Sequence, residues 1–147
     1  MFPPEKLSGM EAYMKRFAAQ FGIDDFQQRD RIPNTRRALA LAEVARDEGK
    51  LESFRERAMD AHWRDGMDLE NDADLAAIAR DSGLSENAVE RSRSSEILAR
   101  VDDAREEANE IGVQGIPTFI IGNLGLSGCQ PYAMFEQFVR QAGVSPR

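Results

Sequence analysis

Between Ile111 and Pro131 the chain reads I-G-V-Q-G-I-P-T-F-I-I-G-N-L-G-L-S-G-C-Q-P, and this is the only stretch without a helical pattern. Two glycines and a proline precede the β-formers Thr118, Phe119, Ile120 and Ile121. Gly122-Asn123 then separates that run from Leu124-Gly125-Leu126, and a Gly-Asn pair between two apolar runs signals a tight hairpin. Pro117 cannot donate to a strand ladder, so it marks where the first strand begins. The second run ends at Gly128, and Pro131 opens a helix. The spacing therefore predicts strand, turn, strand, helix. Phe119 and Ile120 point to opposite faces by strand alternation, and both are apolar, as in a sheet covered on both sides.

Before this stretch the chain reads mostly as helix. After an extended Pro3-Pro4, Ser8-Gly9-Met10-Glu11 has the form of a capping box, and Met10, Tyr13, Met14, Phe17 and Phe21 follow at helical spacing. Gly22 closes that helix, and Asp24 to Pro33 is predicted as a polar loop. Asn34 or Thr35 caps a second helix, with Leu39, Leu41, Ala42 and Ala45 inward and Gly49 as its stop. A third helix, from about Leu51 to Arg64, turns Leu51, Phe54, Ala58 and Met59 inward. Asn71 or Asp72 starts a short fourth helix carrying Leu75, Ile78 and Ala79. Ser85 caps a turn of helix through Val89. A sixth helix covers roughly Ser94 to Glu110, with Ile97, Val101, Ala104 and Ala108 on one face and the acidic run Asp102–Glu107 on the other. Met134, Phe135, Phe138 and Val139 line the last helix, which Gly143 ends.

The totals narrow the function classes. At 147 residues, one domain with a real core is expected. A net charge of −7 argues against nucleic acid or an anionic membrane as a general partner. No apolar run reaches the roughly 18 residues that a membrane helix needs. The start, Met1-Phe2-Pro3-Pro4-Glu5-Lys6, has no basic segment followed by an apolar one, so no secretory signal is read there and a cytoplasmic location is expected. Cys129 is the one cysteine, which excludes an internal disulfide and a C-x-x-C pair. His62 is the one histidine, which excludes a multi-histidine metal centre, and no cofactor is expected. Helices with only two strands pose a physical problem, because an isolated two-stranded ribbon is marginal in water.

Assembled, these segments resemble the DsbA-like thioredoxin-fold family, closest to the branch of FrnE-type oxidoreductases and 2-hydroxychromene-2-carboxylate isomerases. The residues carrying the likeness are Pro33-Asn34-Thr35 opening a helix, Phe54, Gly66-Met67-Asp68-Leu69, Leu75 and Gly83-Leu84. Its strongest motifs are Ala108 with Gly112-Val113-Gln114-Gly115-Ile116-Pro117-Thr118-Phe119, and Ser127-Gly128-Cys129-Gln130-Pro131. The resemblance implies an α+β, mostly helical domain: an incomplete thioredoxin-like fold with a helical insertion over residues 1–112 and a β-β-α half over 113–147. Members of the family begin with a strand, a C-x-x-C (or serine) loop, a helix and a second strand, and this sequence is expected to start after them. The family's nucleophile then has no counterpart here.

The same resemblance implies a cis bond before Pro117. It also implies that the backbone of Ile116 receives an extended thiol peptide or glutathione in strand fashion. Ile116, Pro117 and Thr118 are thus the candidate substrate-binding residues, with glutathione as a possible ligand. Asn34 joins them, since an asparagine in this region helps hold glutathione in related proteins, although it reads first as a helix cap. Thr118 offers a hydroxyl, or is simply a β-former.

Cys129, near a helix N-terminus, is the one candidate nucleophile; the alternative is a small, partly buried cysteine where relatives carry alanine. His62 beside Trp63 and near Asp65 is a weak candidate base. Asp102–Glu107 reads as a solvated face, and Asp72 and Asp74 as first-turn residues favoured by the helix dipole. Two functions stay open: a thiol-binding protein of oxidoreductase or isomerase descent, inactive alone, and a non-catalytic binding or oligomerisation module. The open strand edge at Thr118–Ile121 predicts a homodimer.

Overall fold

The computed structural model describes residues 4–23 and 33–144, with side chains from residue 12 onward. The predicted loop from Asp24 to Pro33 lies outside the described residues, save Pro33 itself. Among the described residues seven helices and two strands follow in the order α1 (Pro4–Ala19), α2 (Arg36–Asp47), α3 (Leu51–Trp63), α4 (Asp72–Asp81), α5 (Ala88–Arg91), α6 (Ser95–Glu110), β1 (Thr118–Ile121), β2 (Leu124–Ser127) and α7 (Tyr132–Gln141). The class is α+β and mostly helical, as expected. Two compact units divide the chain between Asp102 and Asp103, within α6.

In the first unit, α2 packs against α3 and α5, and α4 against α3 and α5. Leu41, Val44, Leu75 and Ile78 are the largest fully buried side chains, and Phe54, Ala61, Leu84, Ala88 and Ile97 complete the cluster around them. Each fully buried aliphatic side chain contributes about 1.5–3 kcal/mol by leaving water. Local chemistry sets the helix ends. Asn71 Oδ1 accepts from the N–H groups of Ala73 and Asp74 at 2.8 and 3.2 Å, satisfying two donors at the start of α4. Gly49 takes φ +68° just past α2, a conformation that costs a residue with a Cβ.

Several sequence expectations need correction. Helix α1 begins at Pro4, so Pro4 is not an extended lead-in and Ser8 lies inside the helix rather than at its cap. Proline suits a first turn, where its missing N–H has no partner to lose. Leu39 is exposed, while Ala38, Ala40, Leu41, Val44 and Ala45 are buried. An A-L-A-L run is apolar on every side, and one residue is a rotation of about 100°; Leu39 turns away once Ala38 and Leu41 are buried. Met59 is likewise exposed, because the inward stripe of α3 runs through Phe54, Ala58, Ala61 and His62. Ala104 is exposed too. Ser85 does not cap α5, which begins at Ala88; its hydroxyl goes to Glu48 instead.

The second unit carries the hairpin. β1 and β2 pair antiparallel with Thr118 opposite Ser127, Phe119 opposite Leu126, Ile120 opposite Gly125 and Ile121 opposite Leu124. Gly122 takes φ +61° at the turn, the left-handed conformation that a two-residue hairpin loop demands. Phe119 meets Phe135 of α7 edge to face, with ring centroids 4.9 Å apart, and Phe138 is buried. Ile120, on the other face, is 45% exposed, so the sheet is not covered on both sides as the alternation suggested. Pro131 stands at the cap of α7, immediately before Tyr132.

Candidate functional site

The segment leading into β1 is held from one side and open on the other. The Ile116–Pro117 peptide bond is cis. Gly128 N–H donates to the Pro117 carbonyl at 2.8 Å, which extends the β1–β2 ladder one step beyond the strands. Thr118 Oγ1 donates to the Gly115 carbonyl at 2.6 Å and lies 3.2 Å from Ser127 Oγ. Gln130 Nε2 donates to the Ser127 carbonyl at 2.8 Å, folding the start of the next segment back onto β2.

Ile116 stands at the head of this arrangement and is 94% exposed. Neither its N–H nor its C=O has a hydrogen-bond partner among the described residues. An exposed backbone with an unused donor and acceptor is what strand-type peptide recognition requires. Beyond it, no other strand pairs with β1 among the described residues.

Of the sequence candidates, Ile116, Pro117 and Thr118 are brought together here. The Thr118 hydroxyl proton is already committed to Gly115, and a hydroxyl has only one. Cys129 follows two residues after Ser127; it is a free thiol and exposed, not partly buried. Asn34 belongs to the first unit. Its Oδ1 accepts from Arg36 N–H at 3.0 Å, its own N–H donates to Glu70 Oε1 at 2.8 Å, and both bonds serve the start of α2.

Sequence reasoning passed over Ser127 and Gly115 as site residues. The register would have found the first: a two-residue turn at Gly122-Asn123 forces Ser127 opposite Thr118.

Several charged groups of the first unit form ion pairs. Arg100 Nη1 contacts both Asp47 carboxylate oxygens at 2.9 and 2.8 Å, and its Nη2 reaches Glu43 at 2.7 Å. The hydrogen bond from Arg100 holds the Asp47 carboxyl below its ordinary value. Arg57, bonded to Asp65 and Asp81, is pushed up for the same reason with the sign reversed. Asp72 pairs with Arg37 and Arg93, while Asp74 accepts from the Asp68 N–H at 2.7 Å. Arg36 caps the acidic run through Asp102 at 2.6 Å. His62 is buried with its ring edge-on to Trp63 at 4.8 Å, a core placement rather than a base poised in a cleft.

Among the described residues no cluster of histidine, cysteine or acidic side chains is arranged to hold a metal ion. An apolar groove of about 470 Å³ runs between α1 and α3, lined by Tyr13, Met14, Phe17, Met59 and Trp63. Its charged lining residues, Asp60 and Arg64, face each other at 2.7 Å. No helix among the described residues is long and apolar enough to cross a membrane.

A comparison with curated proteins finds no match. A family model described as the DSBA-like thioredoxin domain matches residues 2–140, nearly the whole chain and the entire segment just described. A shared domain pattern of that extent, ending on the β-β-α arrangement that presents Ile116, places the chain in the DSBA-like thioredoxin domain family.

Proposed function

We propose that this chain binds thiol compounds, glutathione or an extended thiol peptide, at Ile116, Pro117 and Thr118. Its descent is from the thiol-disulfide oxidoreductase and glutathione-dependent isomerase lines, in the branch of FrnE-type oxidoreductases and 2-hydroxychromene-2-carboxylate isomerases. The observation that carries this reading is the Ile116 backbone, exposed and with both polar groups open beside a fixed Pro117 carbonyl. A bound strand donates to one group and accepts from the other, gaining about 0.5–1.5 kcal/mol per hydrogen bond. Cys129 is the one thiol in these 147 residues. It supports one mixed disulfide, whereas dithiol exchange requires a resolving thiol. The chain by itself is therefore inactive in that exchange. Calorimetric titration with glutathione tests the binding claim, and saturable uptake is expected; no heat of binding at millimolar glutathione overturns it. An insulin-reduction assay tests the second claim, which robust turnover by the purified chain would overturn.

A second reading, a non-catalytic oligomerisation module, is favoured by the hairpin itself. Two strands with Phe119 41% and Ile120 45% exposed leave apolar surface on both faces and an open edge along β1. A second copy of the chain pairing along that edge makes a homodimer. Sedimentation equilibrium is expected to give twice the chain mass, and a clean species of 16.5 kDa removes this reading.

A further inference from the structure

We infer that Thr118 and Ser127 act together as positioning residues for the Ile116 backbone, through a directed pair of hydroxyls. This rests on the proposal that Ile116 receives a thiol ligand.

The direction follows from counting protons. Thr118 Oγ1 lies 2.6 Å from the Gly115 carbonyl oxygen, which can only accept. A threonine hydroxyl has one proton, so that bond uses it. The 3.2 Å contact between Thr118 Oγ1 and Ser127 Oγ must then run the other way, with Ser127 donating and Thr118 accepting. The result is a relay from Ser127 to Thr118 to the Gly115 carbonyl. Ser127 is held in turn by Gln130, whose side chain donates to its carbonyl, and by its register opposite Thr118. Gly115 is thus tied to the first rung of the hairpin from one end. Pro117 is tied from the other end, by the Gly128 N–H. Ile116 lies between two fixed neighbours while making no hydrogen bond itself. A backbone held by its neighbours pays less ordering entropy on binding than a free loop.

Two consequences separate this from a packing role. Thr118 does not present its proton to a ligand; it directs the Gly115–Pro117 turn. Ser127 is exposed, and its hydroxyl oxygen keeps unused acceptor capacity.

Thr118→Val keeps the β-branched shape and removes only the hydroxyl, while Thr118→Ser keeps the hydroxyl and removes a methyl. Two measurements on the full chain decide the matter. In the first, amide order parameters of ligand-free protein are compared. Those of Gly115 and Ile116 are expected to fall from the rigid range toward about 0.6 in Thr118→Val and Ser127→Ala, and to hold in Thr118→Ser. The amides of Ile120 and Ile121 serve as the control that the hairpin is intact. In the second, glutathione affinity is expected to drop roughly two- to tenfold in Thr118→Val and Ser127→Ala, with Thr118→Ser near the parent value. Rigid Gly115 and Ile116 amides in Thr118→Val overturn the inference, as does Thr118→Ser behaving like Thr118→Val. If the parent chain does not bind glutathione, the binding proposal fails, and the order parameters still decide whether the hydroxyl pair positions Ile116.

Discussion

The Glu48 carboxylate and the Ser85 hydroxyl meet at 2.5 Å, tying the residue that follows α2 to the turn before α5. The same carboxylate accepts from the Ser85 N–H at 2.9 Å and from Arg91 Nη1 at 2.6 Å. Glu48 is one of the least exposed acidic side chains in the first unit, and these three donors gather on it from a segment far away in sequence.

Those donors make Glu48 a source of pH-dependent stability. The Ser85 hydroxyl, foremost, with the Ser85 N–H and the Arg91 charge, holds its carboxyl below the ordinary value against the opposing effect of burial. The folded state then binds the proton less readily than the unfolded chain, so stability rises with pH through the acid range. The contribution is complete above the unfolded glutamate value of about 4.3 and is lost as pH falls through the lower folded value. Glu48→Gln is expected to cost roughly 1–3 kcal/mol near neutrality and to flatten this part of the acid profile. Urea midpoints recorded from about pH 6 down to about pH 3 check both.

Helix caps give a paired comparison. Asn71 makes two cap hydrogen bonds at α4, whereas Thr35 stands at the cap of α2 and makes none with its side chain. Asn71→Ala is expected to lose about 1 kcal/mol, and Thr35→Ala a few tenths at most. Chemical denaturation of the two variants against the parent measures the difference. Equal losses would mean the cap bonds at α4 are not what stabilises its first turn.

In the core, Leu41 is 1% exposed and packs where α2 meets its neighbours. Leu41→Ala is expected to destabilise the chain by about 2–5 kcal/mol, through lost transfer energy plus the cavity left behind. Leu39→Ala, two residues earlier and 52% exposed, is expected to stay within about 0.5 kcal/mol. Thermal melts of both variants test the inward face of α2 directly.

The hairpin offers a second pair. At Gly122 nothing stands within 4 Å of an added Cβ, so Gly122→Ala carries only the backbone cost of φ +61°, about 1–2 kcal/mol. Gly125 has equal space and no positive φ, so Gly125→Ala is expected to be neutral or slightly stabilising by restricting the unfolded chain. Amide exchange of Ile121 and Leu124 reads the hairpin in each case: faster in Gly122→Ala, unchanged or slower in Gly125→Ala.

What the chain shows on its face is what short-range chemistry dictates. Asn71 ahead of Ala73 and Asp74 makes a cap because a side-chain oxygen reaches N–H groups two and three residues on. Gly122-Asn123 makes a hairpin because few other pairs accept its dihedrals, and that turn fixes Thr118 opposite Ser127. The β-β-α order and the Ile116-Pro117 segment were legible for the same reason, and so was the family likeness built on them.

Tertiary structure alone decided which apolar residues turn inward and which polar groups meet. Leu39 is the more apolar of the two neighbours, yet the packing of α2 buries Ala38 and leaves Leu39 exposed. Ser85 has the right identity for a cap, yet the strongest acceptor within its reach is Glu48, 37 residues away in sequence. The Thr118 hydroxyl could have faced a ligand, but a carbonyl at 2.6 Å took its proton. Local rules set what each residue can do; the partner it finds depends on chain segments that meet only when the fold closes, and no spacing along the sequence encodes that distance.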